Sequence, residues 1–279
     1  MNARTEIMGR LVHMRLAGVG GAIVGAVVLA ALLGPLVAPY SPTQQDVRNI
    51  LKPPAVAHVL GTDELGRDTL TRVLYGAQVS LQVGVLAVGI SLLIGVTLGL
   101  VAGYLRGLTD AGVMRLMDGL LALPTLVLAL AITAMLGPSL TNAMLAIGIT
   151  GVPVFARLVR GQVLSVRELD YIQAARSLGA GDGRVMLTHV LPNVLAPIVV
   201  QASLAMPTAI LAEAGLSFLG LGVQPPTPSW GAMLNTAKGY LQQDPWMAIA
   251  AGTAIFVTVL GFNFLGDAVR DALDPRLRV

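Results

Sequence analysis

The chain has 279 residues, 55% of them hydrophobic and 12% charged, with a formal net charge of +3 and a mean hydropathy of +0.77. Soluble domains carry about a quarter charged residues, so a water-solvated enzyme or a nucleic-acid-binding protein is excluded, and helices packed in lipid remain. Cysteine is absent and the histidines His13, His58 and His189 are scattered without an HExxH pattern, so no disulfide framework, thiol catalyst or metal site is expected.

Arg4, Arg10 and Arg15 precede an apolar run from Leu16 to Pro39. A cleavable signal core holds about 7–15 apolar residues, so this longer run predicts an uncleaved first span. A span needs about 20 mainly apolar residues. Six stretches qualify: 17–39, 79–103, 116–136, 141–163, 194–221 and 246–266. Pro124, Pro153, Pro197 and Pro207 fall inside them, which membranes tolerate because neighbouring helices satisfy the freed carbonyls. Small residues recur at four-residue spacing as Gly21 and Gly25 in the first span and Gly95, Gly99 and Gly103 in the second. That spacing predicts close helix–helix contact.

Charge sets the orientation. Of 18 Lys and Arg, thirteen lie at the N-terminus, in the second and fourth connections, and at the C-terminus. Arg48, Lys52, Arg67, Arg72 and Lys238 lie on the other side. The positive-inside rule then places both termini in the cytoplasm. Trp230 and Trp246 fall beside the outer interface, where amphipathic rings favour sitting.

Residues 61–81 lie outside, before the second span. Leu70, Val73, Leu74, Ala77 and Leu81 form one stripe opposite Arg67, Asp68 and Arg72, which predicts an interfacial amphipathic helix leading into the span. With Asp63, Arg67 and Asp68 form a candidate extracytoplasmic contact.

Between the fourth and fifth spans the chain turns polar: "DYIQAARSLGAGDGRVMLTHVLP". Asp170 is expected to cap a short helix, with Gln173 completing a capping box. Tyr171, Ala174, Ala175 and Leu178 share one face at i, i+3, i+4, i+7 spacing. Gly179 stands where a C′ glycine belongs. Asp182 is expected to cap a second helix carrying Val185, Met186 and His189, with Leu191, Pro192 and Asn193 returning the chain to the membrane. A two-turn helix is marginal alone. Docking into a partner's groove and packing on its own bundle stand as equal readings of this pattern.

The spacing Gln-Ala-Ala-x₃-Gly-x₁₁-Leu-Pro resembles the EAA loop of bacterial ABC importer permeases. "LGTDELGRDTLTRVLYGAQVSL", "MRLMDGLLALP", "AEAGLSFLGLGVQPPTPSWG" and "LGDAVRDALDPRL" resemble, in the same order, the C-type permease of dipeptide, oligopeptide and nickel importers. The resemblance implies an all-α integral membrane protein of the bacterial inner membrane. Its six transmembrane helices would adopt the type I importer fold, with a cytoplasmic coupling helix. It implies a boundary between an N-terminal region (1–77) and the permease domain (78–267), followed by a cytoplasmic tail (268–279). The implied partners are a second, B-type permease, two cytoplasmic ATPases that use ATP and Mg, and an extracytoplasmic substrate-binding protein. In this family the loop docks on the ATPase. Here Gln173 replaces the Glu of the motif, which removes a charge but not a shape, and His189 stands at a position usually given as Ile. Thr71 and Gln78 stand where the family more often has Ser and Arg.

No GxxxxGK[ST] is present; the only lysines are Lys52 and Lys238, preceded by Leu51 and Ala237. This chain is therefore expected to have no phosphate-cradling loop of that kind and no enzymatic role. Glu213 lies about 18 residues into the fifth span, or roughly 27 Å at helical rise. An acid there is a candidate for the translocation path, together with Ser217 one turn on. The alternative is an ion-coupled secondary transporter that uses Glu213, although no inverted internal repeat is visible. Asp118, beside Arg115, is expected to be an anchor at the cytoplasmic end of the third span.

Overall fold

A computed structural model describes residues 15–273. Arg4, Arg10, His13, Arg276 and Arg278 lie outside the described residues. Among the described residues the regular secondary structure is helical, apart from one isolated bridge between Thr62 and Asp68.

Helix α1 spans Arg15–Val37 and α2 spans Thr69–Leu105. They are followed by α3 (Gly107–Leu121), α4 (Thr125–Leu136), α5 (Leu140–Val166) and a short α6 (Asp170–Ser177). Helix α7 runs through Asp182–Phe218, α8 covers Trp230–Ala237 and α9 covers Trp246–Leu273. Among the described residues, five helices are long and apolar enough to cross a membrane, and α3 with α4 is a further apolar pair bent by 90°, a broken span or a re-entrant loop.

The third expected span is thus not one straight helix. Pro124 has no N–H and clashes with a continuing helix; it sits at φ −53°, ψ 133° and opens α4 instead. The second span is longer than its hydropathy suggests. Asp68 accepts from the Thr71 amide at 2.8 Å and starts α2 there, so the expected interfacial helix and the span are one element. The expected boundary at 77/78 falls inside α2, and that at 267/268 falls inside α9.

The central packing is α2 against α5. A Cβ on Gly95 would meet Phe155 and the Val152 carbonyl, and one on Gly103 would meet Val163 and the Arg160 carbonyl. Only glycine permits that approach, and dispersion between close backbones is what holds helices together in lipid. Ser91 adds a polar tie, its Oγ donating to the Gly148 carbonyl at 2.6 Å. In α1 the expected packing glycines are wrong: a Cβ on Gly21 or Gly25 would meet nothing, whereas Gly20 presses on Phe264 and Leu265 of α9. Gln78 donates to the Ala31 carbonyl at 2.7 Å and so joins α2 to α1.

Trp246 is partly exposed at the start of α9, as an interfacial ring should be. Trp230 is not such a ring. It is buried against Gly76, with its indole N–H donating to the Val73 carbonyl at 3.0 Å. This bond fastens α8 across the outer end of the bundle.

Candidate functional site

The polar hairpin expected on the cytoplasmic side is built from α6 and the start of α7. Both expected capping aspartates occupy the first helical position rather than the cap. Leu169 and Gly181 are the caps, with no side-chain bond. Gln173 does not complete a box; it donates to the Glu168 carbonyl at 3.3 Å. An acid in the first turn still suits the helix dipole, so the residue type was right and its role was not. Asp182 accepts instead from the Tyr104 hydroxyl at 2.8 Å.

Gly179 is placed as expected. It has φ +84°, donates to the Arg176 carbonyl at 2.9 Å, and is followed by Ala180 donating to the Ala175 carbonyl at 3.1 Å. This double bond pattern is the Schellman motif. The helix turns its sides unequally. Ile172 is 0% exposed, packed among Tyr104, Val163, Val185 and Val190. Tyr171 is 44% exposed and Leu178 89% exposed. Ala174 is exposed and Ala175 half-buried. Burying one Ile is worth about 1.5–3 kcal/mol, so Ile172 anchors the helix while the expected apolar face is left free. The sequence pattern did not single out Ile172, because one apolar residue off the stripe carries no periodic signal.

The hairpin's second limb does not stop before the membrane. The backbone widens to a π turn over Met186–Val190, with the Leu191 amide donating to the Met186 carbonyl, and then runs on through Pro192. A proline cannot extend the i→i−4 ladder, and a wider turn just before it accommodates the missing donor. Val185 and Val190 are buried, Met186, His189 and Leu191 half-buried, and Pro192 exposed. Hairpin and fifth span are therefore one rod.

That rod forms a wall of a cavity of about 500 Å³ between α2, α4, α5 and α7. Ser91, Thr125, Thr150, Gln201 and Thr208 supply its polar groups; Val88, Leu126, Phe155 and Leu204 supply apolar wall, and no charged side chain lines it. The break at Pro124 sits where α4 meets this space, in keeping with irregular backbone at membrane depth being tolerated where it lines a cavity. The sequence reading missed Gln201 and Thr208. Their signal was present: Gln201, Leu204, Ala205, Thr208 and Ala212 follow i, i+3, i+4, i+7, i+11, a polar-marked face on an apolar helix.

Neither Glu213 nor Ser217, the expected path pair, is among the residues that line this cavity. The Glu213 side chain is 0% exposed. One carboxylate oxygen accepts from Ser217 Oγ at 2.7 Å, and Ser217 in turn accepts from the Val223 amide at 3.1 Å. Ser80 and Ser229 flank the same group. Hydropathy gave the depth of Glu213; the face it takes on α7 points it into the chain's own outer core.

The candidate extracytoplasmic residues are likewise turned inward. Asp63 pairs with Arg67 at 2.7 Å and Arg72 at 3.3 Å, and accepts from the Leu65 and Arg67 amides. Arg67 also reaches Glu64 at 2.6 Å. Asp68 bonds His58 at 2.9 Å, whose ring stacks on Tyr40 at 4.9 Å. Asp63, Arg67, Asp68 and Arg72 are all buried, so the expected polar face opposite the stripe is an interior. Burial, and then the Asp63 charge, raise the Glu64 carboxyl above its ordinary value. At the other end of the bundle, Asp118 pairs with Arg157 at 2.5 Å rather than with its neighbour Arg115.

A multi-pass helical bundle with an uncharged cavity and a polar hairpin that exposes an apolar ridge fits a membrane permease. The particular family follows from similarity: the chain belongs to the binding-protein-dependent transport system inner membrane components. Residues 95–279 match that family, and residues 5–54 match the N-terminal TM domain of oligopeptide transport permease C. The chain is 47% identical over 273 residues to the dipeptide transport system permease protein DppC of Alkalihalophilus pseudofirmus, covering 98% of this chain and 90% of that protein. It is 48% identical over 258 residues to the di/tripeptide permease protein DppC of Pseudomonas aeruginosa, covering 90% and 85%. It is 43% identical over 274 residues to the glutathione permease protein GsiD of Pectobacterium atrosepticum, covering 98% and 91%. Its fold is similar to a chain of the MetNI methionine ABC transporter in inward-facing conformations, with a TM-score of 0.59 at 18% identity, covering 72% of this chain and 96% of that one. These relatives lend the ion-coupled alternative no support.

Proposed function

We propose that this chain is the C-type permease of an importer for short peptides, and that its hairpin receives the motion of two cytoplasmic ATPases. One observation carries the reading: α6 is anchored inward by Ile172 and presents Tyr171, Ala174 and Leu178 outward. The hairpin joins α5 to α7, and both wall the cavity. ATP and Mg are used on the partner chains. A B-type permease completes the path, a binding protein delivers cargo from outside, and both termini face the cytoplasm. Closure of the ATPase pair moves the hairpin, and the bundle switches between outward and inward access.

Peptide cargo is favoured over nickel on two grounds. The similar proteins are named for dipeptides, tripeptides or glutathione. The cavity offers hydroxyls and one amide, which suit a peptide backbone, rather than imidazoles or carboxylates, which suit a metal ion. An uncharged wall holds cargo weakly, as conduction requires.

The test is Gly179→Val in the reconstituted importer. Valine at φ +84° is strained by about 1–2 kcal/mol, so the motif at the tip of α6 distorts. Uptake of a labelled dipeptide should fall at least several-fold while membrane insertion is unchanged. Uptake at the parent rate would refute the docking role of the hairpin.

A further inference from the structure

The chain connects the hairpin directly to α5 and α7, but the side chains connect it to a third helix. Tyr104 stands at the cytoplasmic end of α2. Its hydroxyl donates to Asp182 Oδ1 at 2.8 Å and accepts from Arg176 Nε at 3.1 Å. The Arg176 guanidinium also lies 4.7 Å from the centre of the Tyr104 ring. Arg167, just before the hairpin, donates to the Tyr104 carbonyl at 2.5 Å. One side chain thus touches both limbs: Arg176 belongs to α6 and Asp182 to the first turn of α7. The tyrosine itself is 2% exposed, packed beside Ile172 and Val185.

We propose that Tyr104 is a positioning residue which clasps the hairpin to α2, so that ATPase motion enters the cavity wall through α2 as well as through α5 and α7. The geometry favours a rigid tie over an incidental contact. A hydroxyl that donates to a carboxylate and accepts from a guanidinium is held at both ends by charge-assisted bonds, which are the stronger class. The Arg176 guanidinium both donates to the hydroxyl and lies close to the ring of the same tyrosine, where cation–π attraction adds to the bond. Helix α2 then carries the displacement inward. Val88, on the cavity wall, lies 16 residues from Tyr104, about 24 Å along the axis at helical rise. Sequence adjacency gives no hint of this route, because the partners of Tyr104 are 72 and 78 residues away.

The proposal rests on the hairpin being the ATPase-docking element, and its test separates the two. The chain has no cysteine, so a single thiol reports one place in it. Val88→Cys on α2 and Thr208→Cys on α7 both line the cavity. In the assembled importer, alkylation by a small maleimide is timed with and without ATP and vanadate. With Tyr104 intact, nucleotide should change both rates several-fold. In the Tyr104→Phe background, which keeps the ring and loses only the hydroxyl, the Val88→Cys response should fall below two-fold while the Thr208→Cys response persists. Asp182→Asn, which keeps an acceptor, should behave as the parent; Asp182→Ala should behave as Tyr104→Phe and add nothing to it. The amount of ATPase that copurifies should be the same in all. A Val88→Cys response unaltered by Tyr104→Phe, or absent with Tyr104 intact, overturns the clasp. Loss of both responses together with loss of copurifying ATPase in Tyr104→Phe would make the residue merely structural and overturn it equally. Failure of the docking reading looks different: nucleotide leaves Thr208→Cys unchanged even in the parent.

Discussion

The two polar segments that flank the membrane are built on opposite plans. The segment before α2, with the first turn of α2, buries a charge cluster: Asp63, Arg67, Asp68 and Arg72 are buried and paired with one another or with backbone. The hairpin between α5 and α7 keeps most of its charge in water and shows apolar side chains, with Leu178 almost fully exposed. A buried ion network is complete within one chain, since an unpaired charge there would be costly. An exposed apolar ridge is incomplete within one chain, since it gains free energy only when covered. The segment before α2 therefore closes on its own chain, and the hairpin leaves an apolar ridge that its own chain does not cover.

Substitutions can break that contrast. The largest effect is expected from Asp63→Ala. It leaves two buried arginines without their shared acceptor and two amides unbonded, and removing one partner of a buried pair costs about 3–5 kcal/mol. Thermal unfolding in detergent and protease cleavage within residues 38–68 should both report it; a melting curve like the parent's would mean that the network is decorative. Glu213 belongs with that region in this respect, because it is buried and one of its carboxylate oxygens is taken by Ser217. Glu213→Ala should cost about 1–3 kcal/mol and lower assembly and uptake in step. If uptake alone falls, the residue acts on cargo after all.

On the inner side Leu178→Asp should change stability by less than about 0.5 kcal/mol, as surface changes do, yet sharply reduce ATPase copurification. Instability of this variant would show that the ridge packs on its own chain. The smallest effect concerns pH. The folded segment holds the Glu64 proton more tightly than the unfolded chain, whose carboxyl has its ordinary value of 4.5. Its stabilising contribution is thus present in full below 4.5 and is lost as pH rises through the higher folded value. Glu64→Gln should flatten that part of the stability curve, measured by protease resistance of the outer segment. A slope unchanged by the substitution would assign it to other groups.

The sequence by itself determined what is local or one-dimensional. Lipid requires about 20 apolar residues in a row, so the spans were legible, and a backbone with positive φ favours glycine, so Gly179 was placed in its turn. The capping aspartates missed by one position, which is the scale at which helix ends are set by tertiary context. Only the tertiary structure decided the rest: the right-angle break at Pro124, the inward turn of Glu213, the pairing of the outer charges, the cavity face of Gln201 and Thr208, and the hold of Tyr104 on both limbs of the hairpin. Hydropathy reports how deep a residue sits but not which neighbour it meets. A hydrogen bond or an ion pair is a property of two groups, and here the two are often dozens of residues apart.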